Sequence, residues 1–401
     1  MDVIPRKTTL AALIAADAEL LSKQLHRQRE KVFPPEAKKS LRRFSSGDAS
    51  KLIGVSESYL RQLSLANEGP SPAIGAGGRR QYTLEQVNEL RRHIASTSQA
   101  GKSKHRLPVR TGQEHLQVLA ITNFKGGSGK TTTSIHLAQY LALRGYRVLA
   151  IDLDPQASLS SLMGFQPEFD LRGNETLYGA VRYDGERRPL SEVIRQSYFD
   201  GLDIVPANLE LAEFEHTTPK VLTLGEGGGE ELFFARVKTV LATVEERYDL
   251  VVIDCPPHLG FLTLGALCAA TSVLVTIHPQ MLDVASMSQF LLMTAELLRV
   301  VGEAGGDLTW DFFRYVATRH EPHDGPQVRM LSFLRSLFGE RVLTHAVLKS
   351  TAISDAGLTK QTLYEVAREK FSKGTYVRAI ESLDSVNAEI ESLIVNAWGR
   401  K

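Results

Sequence analysis

The run Phe124-Lys125-Gly126-Gly127-Ser128-Gly129-Lys130-Thr131-Thr132-Thr133 is the stretch of this 401-residue chain whose residue types and spacing most directly imply chemistry. Glycines at 126, 127 and 129 let backbone N–H groups turn inward and approach phosphate oxygens, and a helix N-terminus just beyond them adds partial positive charge. Lys130 is spaced to reach β- and γ-phosphates and the Thr131 hydroxyl to ligate Mg²⁺, with Ser128 and Thr132 completing the cradle. A dinucleotide fingerprint fails, because Thr132 stands where its third glycine is needed.

Such a loop works only between a strand and a helix, and both are present. An apolar run, residues 116–122, precedes it, and a helical pattern through Ile135, Leu137, Ala138 and Leu141 follows. From Leu116 onward, β-rich runs at 147–152, 248–254, 272–277 and 312–318 alternate with helical patterns at 130–143, 260–270, 284–303 and 376–398. The alternation predicts an α/β fold with a mostly parallel sheet covered by helices on both faces. Gly227-Gly228-Gly229 predicts an exposed loop before a helix at about 230–245.

With 43% apolar and 23% charged residues, the chain is neither wholly disordered nor an integral membrane protein. Cys255 and Cys268 cannot form a disulfide framework or a paired metal site, and a reducing cytoplasm is expected. The net charge of +1 conceals an asymmetry: residues 1–112 carry 20 Lys/Arg against 10 Asp/Glu, a formal +10, and the rest is −9. A basic module on a mildly acidic body suggests polyanion binding. The layout expected is an amphipathic N-terminal arm at 1–40, a small helical module at 41–99, a polar linker at 100–113 and the α/β body at 114–401. In the arm, Leu10, Leu13, Ile14, Leu20, Leu21 and Leu25 mark one helix, which would pack on its own domain or on a second copy.

Within the module, residues 42–72 read as helix, tight turn, helix. Ser45 and Asp48 form a capping-box pattern, Gly54-Val55 make the turn, and Ser56 caps the second helix. A glycine turn with Arg79-Arg80 follows, then a second box at Thr83 and Gln86. The whole resembles the winged helix-turn-helix of MerR-type regulators. That resemblance implies Ser56, Ser58, Tyr59 and Arg61 near DNA bases or phosphates, and Arg79 and Arg80 on a wing at the backbone. A helical hairpin used only for dimerisation is the alternative.

The loop also departs from the common phosphate-loop pattern, which would put glycine at 124; here Phe124 is followed by Lys125. This form resembles the deviant-Walker ATPases, which include the ParA-type partition proteins. The resemblance implies ATP and Mg²⁺ as ligands and a nucleotide-sandwich homodimer in which Lys125 reaches the partner's phosphates. Two further segments match. Asp154, 24 residues after Lys130, stands where the family orients the attacking water, and Asp254 ends the 248–254 strand as the carboxylate that holds Mg²⁺ through water. Asp152 either contacts Mg²⁺ through water or only finishes its strand. No arginine finger is evident in cis, so weak basal ATP hydrolysis stimulated by a partner is expected.

With a DNA-reading module of this size before the loop, nearly the whole chain resembles the RepA partition proteins of repABC replicons. The resemblance implies a cytoplasmic, nucleoid-associated protein that binds non-specific DNA as an ATP dimer, is stimulated by a ParB-type centromere-binding partner (RepB), and represses its own operon at specific sites. In the body, Lys349 and Lys360 are the candidates for DNA contact, with Arg329, Lys370, Lys373 and Arg378 beside them. A nucleotide-gated DNA-binding repressor with no partition role is the alternative. No membrane partner is expected, since the last helix carries Glu381, Asp384, Glu389 and Glu391 on its polar face.

Overall fold

The computed structural model describes residues 9–32, 39–97, 107–225, 231–306, 308–367 and 371–400. It divides into two compact units, Met1–Ser40 and Leu41–Lys401. In the first, the helix Leu10–Val32 leaves Leu10, Leu13, Ile14, Leu20 and Leu21 exposed.

The second unit opens with the basic module. Helices Ser46–Ile53 and Glu57–Leu65 are separated by Gly54 in the left-handed region at φ 83°, and both are capped: Ser45 and Asp48 close a reciprocal box, and Ser56 Oγ accepts from Tyr59 N. A small antiparallel sheet follows, with β3 (Arg80–Tyr82) between β1 (Phe44–Ser45) and β2 (Ala73–Ile74). Helix Leu84–Thr97 completes the module, its Thr83/Gln86 box also closed in both directions.

In the body, seven strands run in the order β10-β9-β4-β8-β5-β7-β6: β4 is Gln117–Thr122, β5 Val148–Asp152, β6 Arg195–Gln196, β7 Leu202–Val205, β8 Leu250–Asp254, β9 Ser272–Ile277 and β10 Phe312–Ala317. Every pairing is parallel except the edge pair β6–β7. Period-two alternation sends Leu119 and Ile121 into one buried cluster and Val118 and Ala120 into the other, so both faces of the sheet are covered. The first cluster holds the helix Lys130–Arg144 and the C-terminal helix Lys373–Ala397, whose Leu383, Val386, Ile390 and Ile394 are buried. Of its acids, Glu381 is exposed, whereas Asp384, Glu389 and Glu391 accept hydrogen bonds from Tyr364, from Thr344 and His345, and from Tyr140 and Tyr146.

The same cluster includes Phe44, Leu60, Leu63, Val87 and Leu90, so module and body share one core. At their junction the buried Arg91 guanidinium donates to Leu143 O and Leu52 O, and to Asn88 Oδ1. Leu143 lies in the last turn of the helix that begins at the glycine loop, and such a C-terminus favours a cation. The second half of the expected linker belongs to the body as well: Arg110 donates to the carbonyls of Tyr248, Glu114 and Glu245, and its backbone N–H to Asp249. Gly227-Gly228-Gly229 lie outside the described residues, and the helix expected at 230–245 is the shorter Arg236–Ala242.

Helix Met281–Glu303 is long and apolar enough to cross a membrane by composition. It joins β9 to β10, which pair in parallel register, and is therefore the crossover between neighbouring strands.

Candidate active site

The parallel order brings the C-terminal ends of β4, β8, β9 and β10 to one edge, where open α/β sheets hold their ligands. The loop 124–129 leaves β4 there. Gly127 and Gly129 adopt φ of 76° and 87°, a region that glycine enters at no steric cost, and Gly129 caps the helix Lys130–Arg144. The loop is strapped from β9 and from the end of β10. Asn123 donates to Thr276 O and accepts from Lys125 N at 3.1 Å; Ser128 Oγ pairs with Thr276 Oγ1 at 3.0 Å. Thr318 Oγ1 donates to Ser128 O at 2.6 Å, and Arg319 Nη1 to Gly127 O at 3.0 Å.

A cleft of about 450 Å³ opens at this edge. Its phosphate end is Gly126, Gly127, Gly129, Lys130, Thr131 and Thr132, faced by Asp154 and Pro257, and its far end is Val347, Leu348, Lys349, Ser350 and Ile353. Lys130 is buried, and its Nζ donates to Lys125 O at 3.2 Å, curled over the space the loop encloses. Burial pulls the Lys130 pKa down, opposed by Asp254, Cys255 and Asp154. Lys125 does not line the cleft. Its amine forms an ion pair with Asp283, a buried carboxylate in the first turn of Met281–Glu303 whose Oδ2 also pairs with His278 Nδ1 at 3.1 Å.

Asp152 and Asp254 are fully buried neighbours across the β5–β8 register. Burial raises both carboxyl pKa values, and the Asp254 charge raises that of Asp152 further. Their oxygens are used differently. Asp152 Oδ1 accepts from Asp154 N at 3.1 Å, and Oδ2 from Ser160 N at 2.8 Å and Ser160 Oγ at 2.7 Å, so it anchors the loop 154–160. Asp254 Oδ1 accepts from Ser134 Oγ at 2.9 Å, while its Oδ2 is buried and closes no hydrogen bond. The Thr131 side chain acts on the same carboxylate and lowers its pKa, and a buried carboxylate beside a threonine hydroxyl is the donor set a hard divalent cation fits. Among the described residues, no group of three or more His, Cys, Asp or Glu is placed to hold a metal ion. Asp154 lines the cleft and accepts from Gln156 N at 2.9 Å. Cys255 is buried, and burial pushes its thiol pKa up, as expected of a core residue.

A family model described as an AAA domain matches residues 116–301. The chain is 54% identical over 392 residues to "Putative replication protein A" of Rhizobium rhizogenes, covering 98% of this chain and 96% of that one. It is 30% identical to Protein SopA of Escherichia coli K12, covering 91% and 92%. The chain belongs to the ParA-type partition ATPases. A solved structure named Partition Protein shares the fold over 94% of this ParA-type chain and 98% of its own, with a TM-score of 0.64 at 16% identity. A cobyrinic acid a,c-diamide synthase from Mycobacterium smegmatis, solved with ADP and magnesium, matches over 61% of this chain and 91% of its own at 26% identity and TM-score 0.50.

The residues expected at DNA have different surroundings in this ParA-type chain. Lys349 lines the cleft and pairs with Glu321 at 2.9 Å. Tyr59 is half-buried against the module's core. Ser56 is occupied as a cap, and Arg80 Nε donates to Ser64 Oγ at 3.1 Å, tying the wing to the second helix. Ser58, Arg61 and Arg79 are exposed. Lys360 sits at φ 52° just beyond the helix Thr351–Leu358; Lys370 lies outside the described residues. The sequence reading named none of Asn123, Thr276, Thr318 and Arg319; the last two lie in the segment 314–327, which resembles the family's adenine-side strand and following helix without indicating which atoms act. Arg319 lines the cleft while its guanidinium is engaged with Gly127 O.

Proposed function

We propose that this chain is a plasmid-partition ATPase that dimerises on ATP, holds DNA in that state, and is returned to the free state by hydrolysis that a ParB-type partner stimulates. The observation carrying this reading is the separation of the two loop lysines: Lys130 lies inside the cleft, whereas Lys125 stands at its rim on Asp283, half-exposed and outside its own cleft. A cation so placed has no phosphate of its own to neutralise and is available to a second copy's nucleotide. Thr131 and Asp254 would hold Mg²⁺, which when bound neutralises charge on the β- and γ-phosphates. Asp152 serves as the anchor of the loop that carries Asp154, and Asp154 places the attacking water. DNA binding by the protein without nucleotide, with ADP, with ATP and with a slowly hydrolysed analogue tests the reading. Binding that is indifferent to nucleotide would leave a plain repressor.

Asp154→Ala should keep ATP affinity within a few-fold of wild type and keep the dimer, yet lose hydrolysis by about 10²-fold or more, the scale of a general-base contribution. Phosphate release measured beside nucleotide titration checks this. Loss of affinity instead would make Asp154 chiefly a magnesium residue.

On the module, exposed Ser58 and Arg61 would read bases in autorepression, and Arg79 at the wing tip would hold backbone phosphate. Arg79→Ala is expected to weaken binding equally on operator and random DNA and to reduce the salt slope by about 0.9. Arg61→Ala should discriminate between the two DNAs. Fluorescence anisotropy at several salt concentrations separates these outcomes, and equal loss for both variants would rule out operator reading by this helix.

A further inference from the structure

We propose that Thr318 and Arg319 are positioning residues that, from just beyond the end of β10, fix the direction in which the Ser128 and Gly129 N–H groups point. The proposal rests on the nucleotide reading above and adds a device that none of the loop's own residues supplies.

A trans peptide is planar, with its C=O and N–H pointing in opposite directions. The Gly127 carbonyl therefore shares a plane with Ser128 N–H, and the Ser128 carbonyl with Gly129 N–H. Arg319 Nη1 holds the Gly127 carbonyl at 3.0 Å, and Thr318 Oγ1 holds the Ser128 carbonyl at 2.6 Å. With both carbonyls tied to residues at the end of β10, both N–H groups are held pointing the other way, unable to swing with their peptides when an anion arrives. An anion site gains most from donors that need no reorganisation when the charge arrives. A guanidinium on the carbonyl side also polarises the peptide, which strengthens the N–H on its opposite side.

Two further observations support the assignment. Arg319 itself lies at φ 52°, one of five non-glycine residues with positive φ among those described, and such strain persists where neighbouring contacts over-determine it, commonly at functional sites. The packing is close as well: a Cβ on Gly129 would stand 3.3 Å from Thr318 Oγ1, and one on Gly127 would stand 3.7 Å from Arg319 Nη1. The loop lies directly on the end of β10.

The test uses the full chain and equilibrium titration with ADP and with a slowly hydrolysed ATP analogue, both with Mg²⁺. Arg319→Gly removes the guanidinium and relieves the strained backbone, so its thermal midpoint without nucleotide should equal or exceed that of wild type. Its affinity for both nucleotides should fall equally, by about tenfold, because the N–H groups concerned serve phosphates the two share. Arg319→Lys should restore most of the loss, and Thr318→Val, which keeps the shape and removes the hydroxyl, should reproduce it. Wild-type ADP affinity in folded Arg319→Gly would overturn the proposal. So would a loss confined to the triphosphate analogue, which would make Arg319 a direct contact to the terminal phosphate. Failure of the wild-type protein to bind ADP would instead overturn the nucleotide reading itself.

Discussion

Replacing Lys130 with alanine is expected to weaken Mg·ATP binding by at least about 10²-fold, the largest effect of any single substitution in the cleft. Hydrogen bonds from a charged donor contribute about 1.5–3 kcal/mol each, and one ammonium spanning β- and γ-phosphates makes two of them. Lys130 is the buried cation of the loop, already curled over the enclosed space onto Lys125 O. Burial disfavours its charge in the free protein, so phosphate restores what burial removes, and the interaction is realised mainly when ligand is present. The fold should tolerate the change, since the side chain closes only one hydrogen bond, to a backbone carbonyl. Isothermal titration with ADP and with a slowly hydrolysed analogue measures the effect, and affinity within a few-fold of wild type would remove the phosphate-loop assignment.

The features legible in the sequence were those encoded by short patterns. The loop, the strand before it and the helix after it follow from glycine spacing and apolar period; Asp254 ends β8 and Asp154 lies two residues beyond β5, as their apolar runs predict. Both capping boxes of the module formed as their residue types dictate. What escaped depends on contacts between distant segments. The strand β7 is only four residues, Leu202–Val205, and its edge partner β6 only two, too short for a periodic signal. Lys349 reads as a surface lysine and is exposed, yet an isolated bridge between His320 and Leu348 brings its segment to the cleft rim. Arg91 read as one basic residue among many in a charged module. Its burial against Leu143, where Gly145 at φ 101° leaves room for the guanidinium, follows only from the packing of module on body. Such a glycine reads in sequence as an ordinary helix stop.

Lys125→Ala should separate binding from hydrolysis, with ATP affinity within a few-fold of wild type and both the ATP-dependent dimer and turnover lost. The side chain is half-exposed at the rim, and its partner in the free chain is Asp283, not the enclosed phosphate space. Removing it therefore leaves the Lys130 contacts and the loop's N–H groups in place. Without the lysine, Asp283 stays buried with His278 as its remaining partner, a cost in the free chain that does not touch the cleft. Arginine at 125 should not restore function, because a planar fork replaces a compact ammonium that must fit beside another protomer's phosphates. If a cation supplied across the interface is what lowers the barrier, the deficit in turnover should reach the 10³–10⁵ range typical of a missing phosphate-stabilising cation. Sedimentation with the slowly hydrolysed analogue, beside phosphate release at saturating ATP, gives both readouts. Wild-type turnover in this variant would place Lys125 outside the chemistry, whereas lost nucleotide affinity would place its amine on its own protomer's phosphates.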